Sequence, residues 1–377
     1  MMKKSVNQLV LSLLISLIVC IDVAGQGLNI PAKTWGISFG NSQKFTGLRF
    51  NYRDRDVEKI NGVYTTLWRP YEGASSGTVN GLALGLPLAE AKNMNGVNLG
   101  IGIGADEKMN GINLGIIGLG AGQQLNGLNV GGIGMGSGGS LSGINLAGIG
   151  LGSGGDLTGI SIAGLGVGSG EDLEGITIGG LGAGASGDIK GITIGGLGVG
   201  SGGDLTGITI GGLGIGASGN ITGINLAGIG IGAGGDLTGL NIAAIGVGSG
   251  GKVSGINIAG IGVGGAEKVS GLNLAGVGVG GRQVIGLSIA AVGIGGEEIT
   301  GIAIAPALIQ IEEGGTLKGF SVSAYHRVKG MQKGLAIGVF NYTRNIKGLQ
   351  IGLLNYVASN PKGLRLLPIF NVDFSKG

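Results

Sequence analysis

The sequence predicts an all-β fold, a single β-solenoid of about twenty 15–16-residue Gly-rich coils with aromatic-rich terminal coils. Three observations predict it. A Gly followed by Ile or Leu recurs every 16 residues from Gly111 through Gly127, Gly143 and Gly159 to Gly271. Glycine supplies 92 of the 377 residues, far above the roughly 7% of ordinary globular chains, yet 43% of the chain is apolar and can bury a continuous core. Charged residues of the central array gather at one point in each unit, as Asp156, Asp172, Asp188 and Asp204 do, so one corner of each coil is wet.

The lattice continues with small slips through Gly96, Gly81, Gly62 and Gly47 upstream and through Gly286, Gly301, Gly319, Gly334, Gly348 and Gly363 downstream. Around Gly159, Ile160 and Ile162 alternate with Ser161, the period-2 signature of a strand. Leu165 and Val167 alternate with Gly166 and Gly168 in the opposite parity, so burying both pairs with Leu157 requires corners at Ala163-Gly164 and Thr158-Gly159. This parity predicts that Ile194 points in and Thr193 out. Ser169-Gly170-Glu171-Asp172 has turn chemistry.

Four segments follow: a signal peptide over 1–25, aromatic-rich capping coils over 26–80, the Gly-rich solenoid over 81–318, and basic, aromatic-rich coils over 319–377. Lys3 and Lys4, the apolar run Leu9 to Val19 and the small residues Val23-Ala24-Gly25 are the parts of a secretion signal cleaved before Gln26. A lipobox reading of Cys20 conflicts with Val19, where a small residue belongs. Removal of Cys20 leaves a mature chain without thiols. Terminal coils need atypical residues, and aromatics such as Trp35, Phe50, Tyr342 and Phe374 are read as caps over the open core. From Glu312 onward nine Lys/Arg face three Asp/Glu, a balance suited to anionic headgroups.

A 16-residue period also fits an outer-membrane β-barrel with a transport role. Against it, odd and even units carry the same turn, and residues 72–318 contain no Phe, Trp or Tyr for membrane girdles.

Little chemistry is on offer, and no enzyme, metal or cofactor is predicted. The sole histidine, His326, has no second histidine or mature cysteine to work with and is read as a surface residue. Gly164-Leu165-Gly166-Val167-Gly168 resembles a phosphate loop but recurs without a following helix or Lys-Ser/Thr. A calcium ladder through Asp156, Asp172, Asp188, Asp204 and Asp236 meets Lys252 and Lys268 at equivalent positions. A net charge of +3 without basic, aromatic-laced runs excludes a nucleic-acid groove.

Two rows are read as outward. Asn145, Ser161, Thr177, Thr193, Thr209 and Asn225 form the candidate interaction ladder, in which stacked side chains bond to one another or present a regular face to ice or a glycan. Gly166, Gly168 and their equivalents leave bare backbone through which copies could associate laterally.

Lys347-Gly348-Leu349-Gln350-Ile351-Gly352-Leu353-Leu354-Asn355-Tyr356 resembles the bacterial surface-repeat family built of tandem GLQIGLLN-type units, found in exported proteins of spirochaetes, Bacteroidetes and related Gram-negative bacteria. Gly334 to Tyr342 follows the same pattern, while Leu367 and Pro368 break it in the closing unit. The resemblance implies an envelope or surface location, whether outer membrane-associated, at the cell surface or periplasmic, and carries over no functional residue. The expected function is a non-enzymatic exported structural or interaction scaffold with an envelope or surface partner.

Overall fold

The structure, a computed structural model, describes residues 27–71 and 77–373. The expected signal segment, Cys20 and Phe374 lie outside them. The described chain is a β-solenoid of about 18 turns, in two compact units that divide between Ala163 and Gly164.

Both units use the same coil. In the second unit a seven-residue strand such as Leu173–Gly179 is followed by a corner, a four-residue strand such as Gly182–Ala185, and a turn. Each strand pairs in parallel with its equivalent 16 residues on: Ile176 with Ile192, Ile192 with Ile208, Ile208 with Ile224. Barrel hairpins would be antiparallel, so this pairing replaces the barrel alternative. The sequence slips are absorbed at the turn, where the register shifts between Gly265 and Lys268, Gly296 and Glu298, and Ile311 and Thr316.

The anchor glycines explain the close stacking. At Gly207 φ is +125°, and a Cβ there would lie 2.0 Å from the Gly191 carbonyl oxygen. Only glycine bends the chain this way and lets adjacent coils close up.

The expected corners are present, but the parity is reversed. Leu157, Ser161, Ala163, Val167 and Ser169 are buried, all at odd positions, so the inward set keeps one parity around the coil and Leu165 is thrown out at the corner. Leu157 and Val167 point in as expected, whereas Ile160 and Ile162 point out, 37% exposed beside a Ser161 that is 1% exposed. The bend at Gly159 redirects the chain without changing its alternation. The interior is filled by one aliphatic column from Leu173, Ile189 and Leu205, a second from Val199, Ile215 and Ile231, and small or polar residues between.

The buried asparagines tolerate this interior because each bonds to its neighbour one coil away, whereas Thr193 Oγ1 is buried without a partner. In the first unit Asn98 Nδ2 donates to Asn113 Oδ1 at 2.6 Å, Asn113 to Asn129 at 2.6 Å, Asn129 to Asn145 at 2.7 Å, and Asn145 to Ser161 Oγ at 3.2 Å. In the second, Asn225 donates to Asn241, Asn241 to Asn257 and Asn257 to Asn273, each at 2.9 Å, and Asn273 to Ser288 Oγ at 3.3 Å. Every amide donates toward the C-terminal side, so only the first carbonyl of each run, Asn98 Oδ1 and Asn225 Oδ1, has no donor.

The ends close by strand reversal. Leu28–Ala32 pairs antiparallel with Trp35–Phe39, and Leu366–Asn371 antiparallel with Gln350 to Tyr356, so the closing unit is not a regular coil. The N-terminal aromatics divide: Phe45 and Tyr64 are buried in the first coils, whereas Trp35, Phe39, Phe50, Tyr52 and Trp68 are exposed, and Phe39 and Phe50 stack at 5.6 Å along the outer face. The exposed ones continue the outward rows.

The corrected parity reverses a substitution test. Thr193→Asp should lower stability by about 3 kcal/mol or more, since it buries a charge without a partner. Ile194→Asp should change it by less than about 1 kcal/mol. Thermal melts of the two variants compare them directly.

Candidate functional site

The outer surface of each coil has three zones, set by which side chains the alternation ejects. After the anchor glycine come aliphatics on the seven-residue strand, Ile176, Ile192, Ile208 and Ile224 in the second unit. At the corner stands a ridge of Leu181, Leu197, Leu213, Ile229, Ile245 and Ile261, each about half exposed. Beyond it the four-residue strands present only glycine outward, such as Gly198 and Gly200 or Gly230 and Gly232. The result is an aliphatic face, a ridge and a trough, repeated in register. The first unit repeats the face with Ile112, Ile144 and Ile160 and the ridge with Ile117, Ile133 and Ile149.

Trough glycines differ from anchor glycines. A Cβ on Gly168, Gly200 or Gly232 would meet nothing within 4 Å, and at Gly216, Gly248 and Gly264 the nearest atom lies at 3.7–4.0 Å. Their φ angles lie outside the left-handed region. Glycine within a strand costs roughly 0.5–1 kcal/mol against alanine, and at the second glycine of these strands nothing inside the chain requires it, whereas at Gly198 a Cβ would come within 3.2 Å of the Gly214 carbonyl oxygen. The trough ends where Leu308 and Gln310 take the places of Gly293 and Gly295, beside a shallow depression of about 550 Å³.

The candidate ladder is not at this surface. Asn145 and Ser161 in the first unit, and Thr177, Thr193, Thr209 and Asn225 in the second, are all buried at 0–1% exposure. An ice or glycan face cannot be built from them. The reading that such residues bond to one another holds for the asparagines, but inside the coil. A ladder that does lie outside was missed: Asn126 Nδ2 donates to Asn110 at 2.8 Å, Asn110 to Asn95 at 2.8 Å, and Asn95 to Asn80 at 3.0 Å. Its signal was the Asn immediately before each anchor glycine from Gly62 to Gly127.

The acidic turns have a structural partner. Asp172 Oδ1 accepts from the Asp188 N–H at 2.8 Å, Asp188 Oδ1 from Asp204 at 2.9 Å, and Asp204 Oδ1 from Asn220 at 2.7 Å. The Asp204 N–H, helped by Lys190, holds the Asp188 carboxyl below the usual range. Asn220 serves equally, and Lys252 ends the run by donating its N–H to Asp236 at 2.8 Å. That is why aspartate, asparagine and lysine share one position. Among the described residues no three His, Cys, Asp or Glu side chains gather at metal-binding distance.

Two buried polar features were not foreseen. In the first unit Arg49 Nη2 donates to Asp54 Oδ1 at 2.6 Å, Arg49 Nε donates to the Ser42 carbonyl at 3.0 Å, and the Tyr64 hydroxyl donates to Asp54 Oδ2. Burial first, then the Asp54 charge, raises the Tyr64 phenol well above its ordinary value. In the second unit His326 is buried, not at the surface, beside Asn341, with no hydrogen-bond partner of good geometry on either ring nitrogen. Burial pushes its imidazole down to about 4, against a smaller opposing effect of Asn341.

The surface-repeat segment follows the same inverted plan. Gln350 and Asn355 are buried, bonded to Gln332 Oε1 at 2.9 Å and to Asn341 at 2.7 Å, while Ile351, Leu353 and Leu354 face out. Comparison with family models, curated proteins and solved structures found no match to the chain.

Two expected outcomes follow from these sites. Gly200→Ala should leave stability unchanged or raise it by about 0.4–1 kcal/mol, whereas Gly207→Ala should destabilise by more than that; paired denaturant titrations measure both. For His326 the native imidazole binds its proton less readily than the unfolded one, so stability is full above pH 6.5 and falls between there and about pH 4. The loss is about 3 kcal/mol, since each tenfold weakening of proton binding is worth ~1.4 kcal/mol, and it should be absent from the difference between pH 7 and pH 4 stability in His326→Leu.

Proposed function

We propose that the chain is a non-enzymatic scaffold exported to the cell envelope of a Gram-negative bacterium, which works by presenting the aliphatic outer face of its coils to an envelope partner. The observation that carries this reading is the inversion of the coil. One row of isoleucine and leucine stands outside in register while asparagine, serine and threonine share the inside with the aliphatic columns, which leaves a contiguous exposed apolar surface of the kind that marks an interaction site. Such a surface serves docking. The export features of 1–25 and the resemblance of 347–356 to envelope surface repeats support the location.

The docking face is read as the Ile176, Ile192, Ile208 and Ile224 row, because it is wide, uncharged and made of stiff β-branched side chains. In fractionated native cells the unaltered protein should remain with the envelope. A variant carrying Ile192→Lys, Ile208→Lys and Ile224→Lys should keep its circular dichroism spectrum and move to the soluble fraction. Retention of the folded triple variant would contradict this use of the face.

A further inference from the structure

The glycine trough and the leucine ridge beside it are separate from the face proposed to meet the envelope, and together they raise a different question. Something must account for the row formed by the second glycine of each four-residue strand, which the chain's own packing does not need. Gly168, Gly200 and Gly232 have open space where a side chain would stand, and Gly216, Gly248 and Gly264 have only ordinary contacts there. What these positions share is flatness toward the outside.

We propose that the trough receives the ridge of a second copy of this chain, in a two-fold pair whose axis runs along the stack. Three observations select that occupant. First, ridge and trough sit side by side on each coil, Leu197 next to Gly198 and Gly200, and Leu213 next to Gly214 and Gly216. A two-fold axis parallel to the stack exchanges left and right, which sets each copy's ridge over the other's trough. Axes in other directions set ridge on ridge. Secondly, the trough repeats at the same interval as the ridge, because Gly198 pairs with Gly214 and Leu197 bonds to Leu181 one coil away. Only a surface with this same repeat fits it along its length, and a second copy has it. Thirdly, the ridge from Leu181 to Val292 is about half exposed at every coil and borders the trough throughout, so a paired copy covers a continuous apolar strip on both partners.

A lipid surface fits less well. The edge of the trough carries Asp172, Asp188, Asp204 and Asp236, which oppose anionic headgroups, and residues 72–318 supply no aromatic belt.

The pair is parallel, and a closed two-fold leaves no shift along the stack, so equal coils face one another. The ridge also ends in step with the trough. Ala307 takes the ridge position in the coil where Leu308 and Gln310 fill the trough.

Sedimentation of the full chain in detergent-free buffer tests the pair. The unaltered protein is expected to run as a dimer, and the variant with Gly200→Leu, Gly232→Leu and Gly264→Leu as a monomer with an unchanged melting temperature. If the leucines disturb the coil, Leu197→Asp with Leu213→Asp removes the ridge instead, with the same expectation. Orientation is read by mixing a Leu213→Cys chain with a Gly216→Cys chain, both in a Cys20→Ser background, where a disulfide between the two is expected. A monomeric unaltered protein, a dimer that survives both sets of variants, absence of the mixed disulfide, or monomeric binding to phosphatidylglycerol vesicles would each overturn the proposal. The Ile192, Ile208 and Ile224 variants leave this dimer intact, so failure here is distinct from failure of the envelope reading.

Discussion

The structure depends on how closely one coil can approach the next at the anchor glycines. At Gly207 and its equivalents the place of a Cβ is taken by the carbonyl oxygen of the preceding anchor, at about 2 Å. This contact forces a positive φ, bends the chain, and locks consecutive coils into a parallel register in which like residue sits on like residue. Once like stacks on like, each position of the repeat becomes a column, and the chemistry of a column differs from that of its members. A buried asparagine alone is costly. A column of asparagines is a chain of amide hydrogen bonds with a loose end only where it begins.

The same constraint accounts for the inversion. A 16-residue coil bent at the glycine, the corner and the turn encloses little space, and the columns of Leu205 and Val199 already occupy much of it. What remains suits Ser161, Thr193 or Asn241 beside a small neighbour such as Ala163 or Gly195, and Ile160 or Ile192 must lie outside. Aliphatic burial is therefore subordinate here to the geometry of stacking. The apolar surface left over is available for contacts with other molecules.

The period, the corners, the wet turn and the parallel coil were legible in the glycine spacing, because a 16-residue repeat with period-2 segments admits few other folds. Which face of the strand points in was not. Alternation reports that two faces differ, and assigning the apolar one to the core is a rule for wide interiors. The odd parity shared by Leu157, Ser161, Ala163 and Val167 was available as a signal, since it needs no phase change, but it competes with the stronger apolar count of Ile160, Ile162 and Leu165. The Asn80, Asn95 and Asn110 ladder was legible and overlooked. The Arg49 and Asp54 pair was not, since the two become neighbours only through the fold of the first coils.

The central claim is that polar side chains line the inside of the coil and bond along the stack. Hydrogen exchange of the asparagine side-chain amides, observed by nuclear magnetic resonance, tests it most directly. The account predicts that the Nδ2 protons of Asn241 and Asn257 exchange at least about a hundredfold more slowly than those of exposed asparagines, consistent with opening free energies of several kcal/mol. Exchange at the rate of a free side-chain amide would contradict it and return the isoleucines to the core.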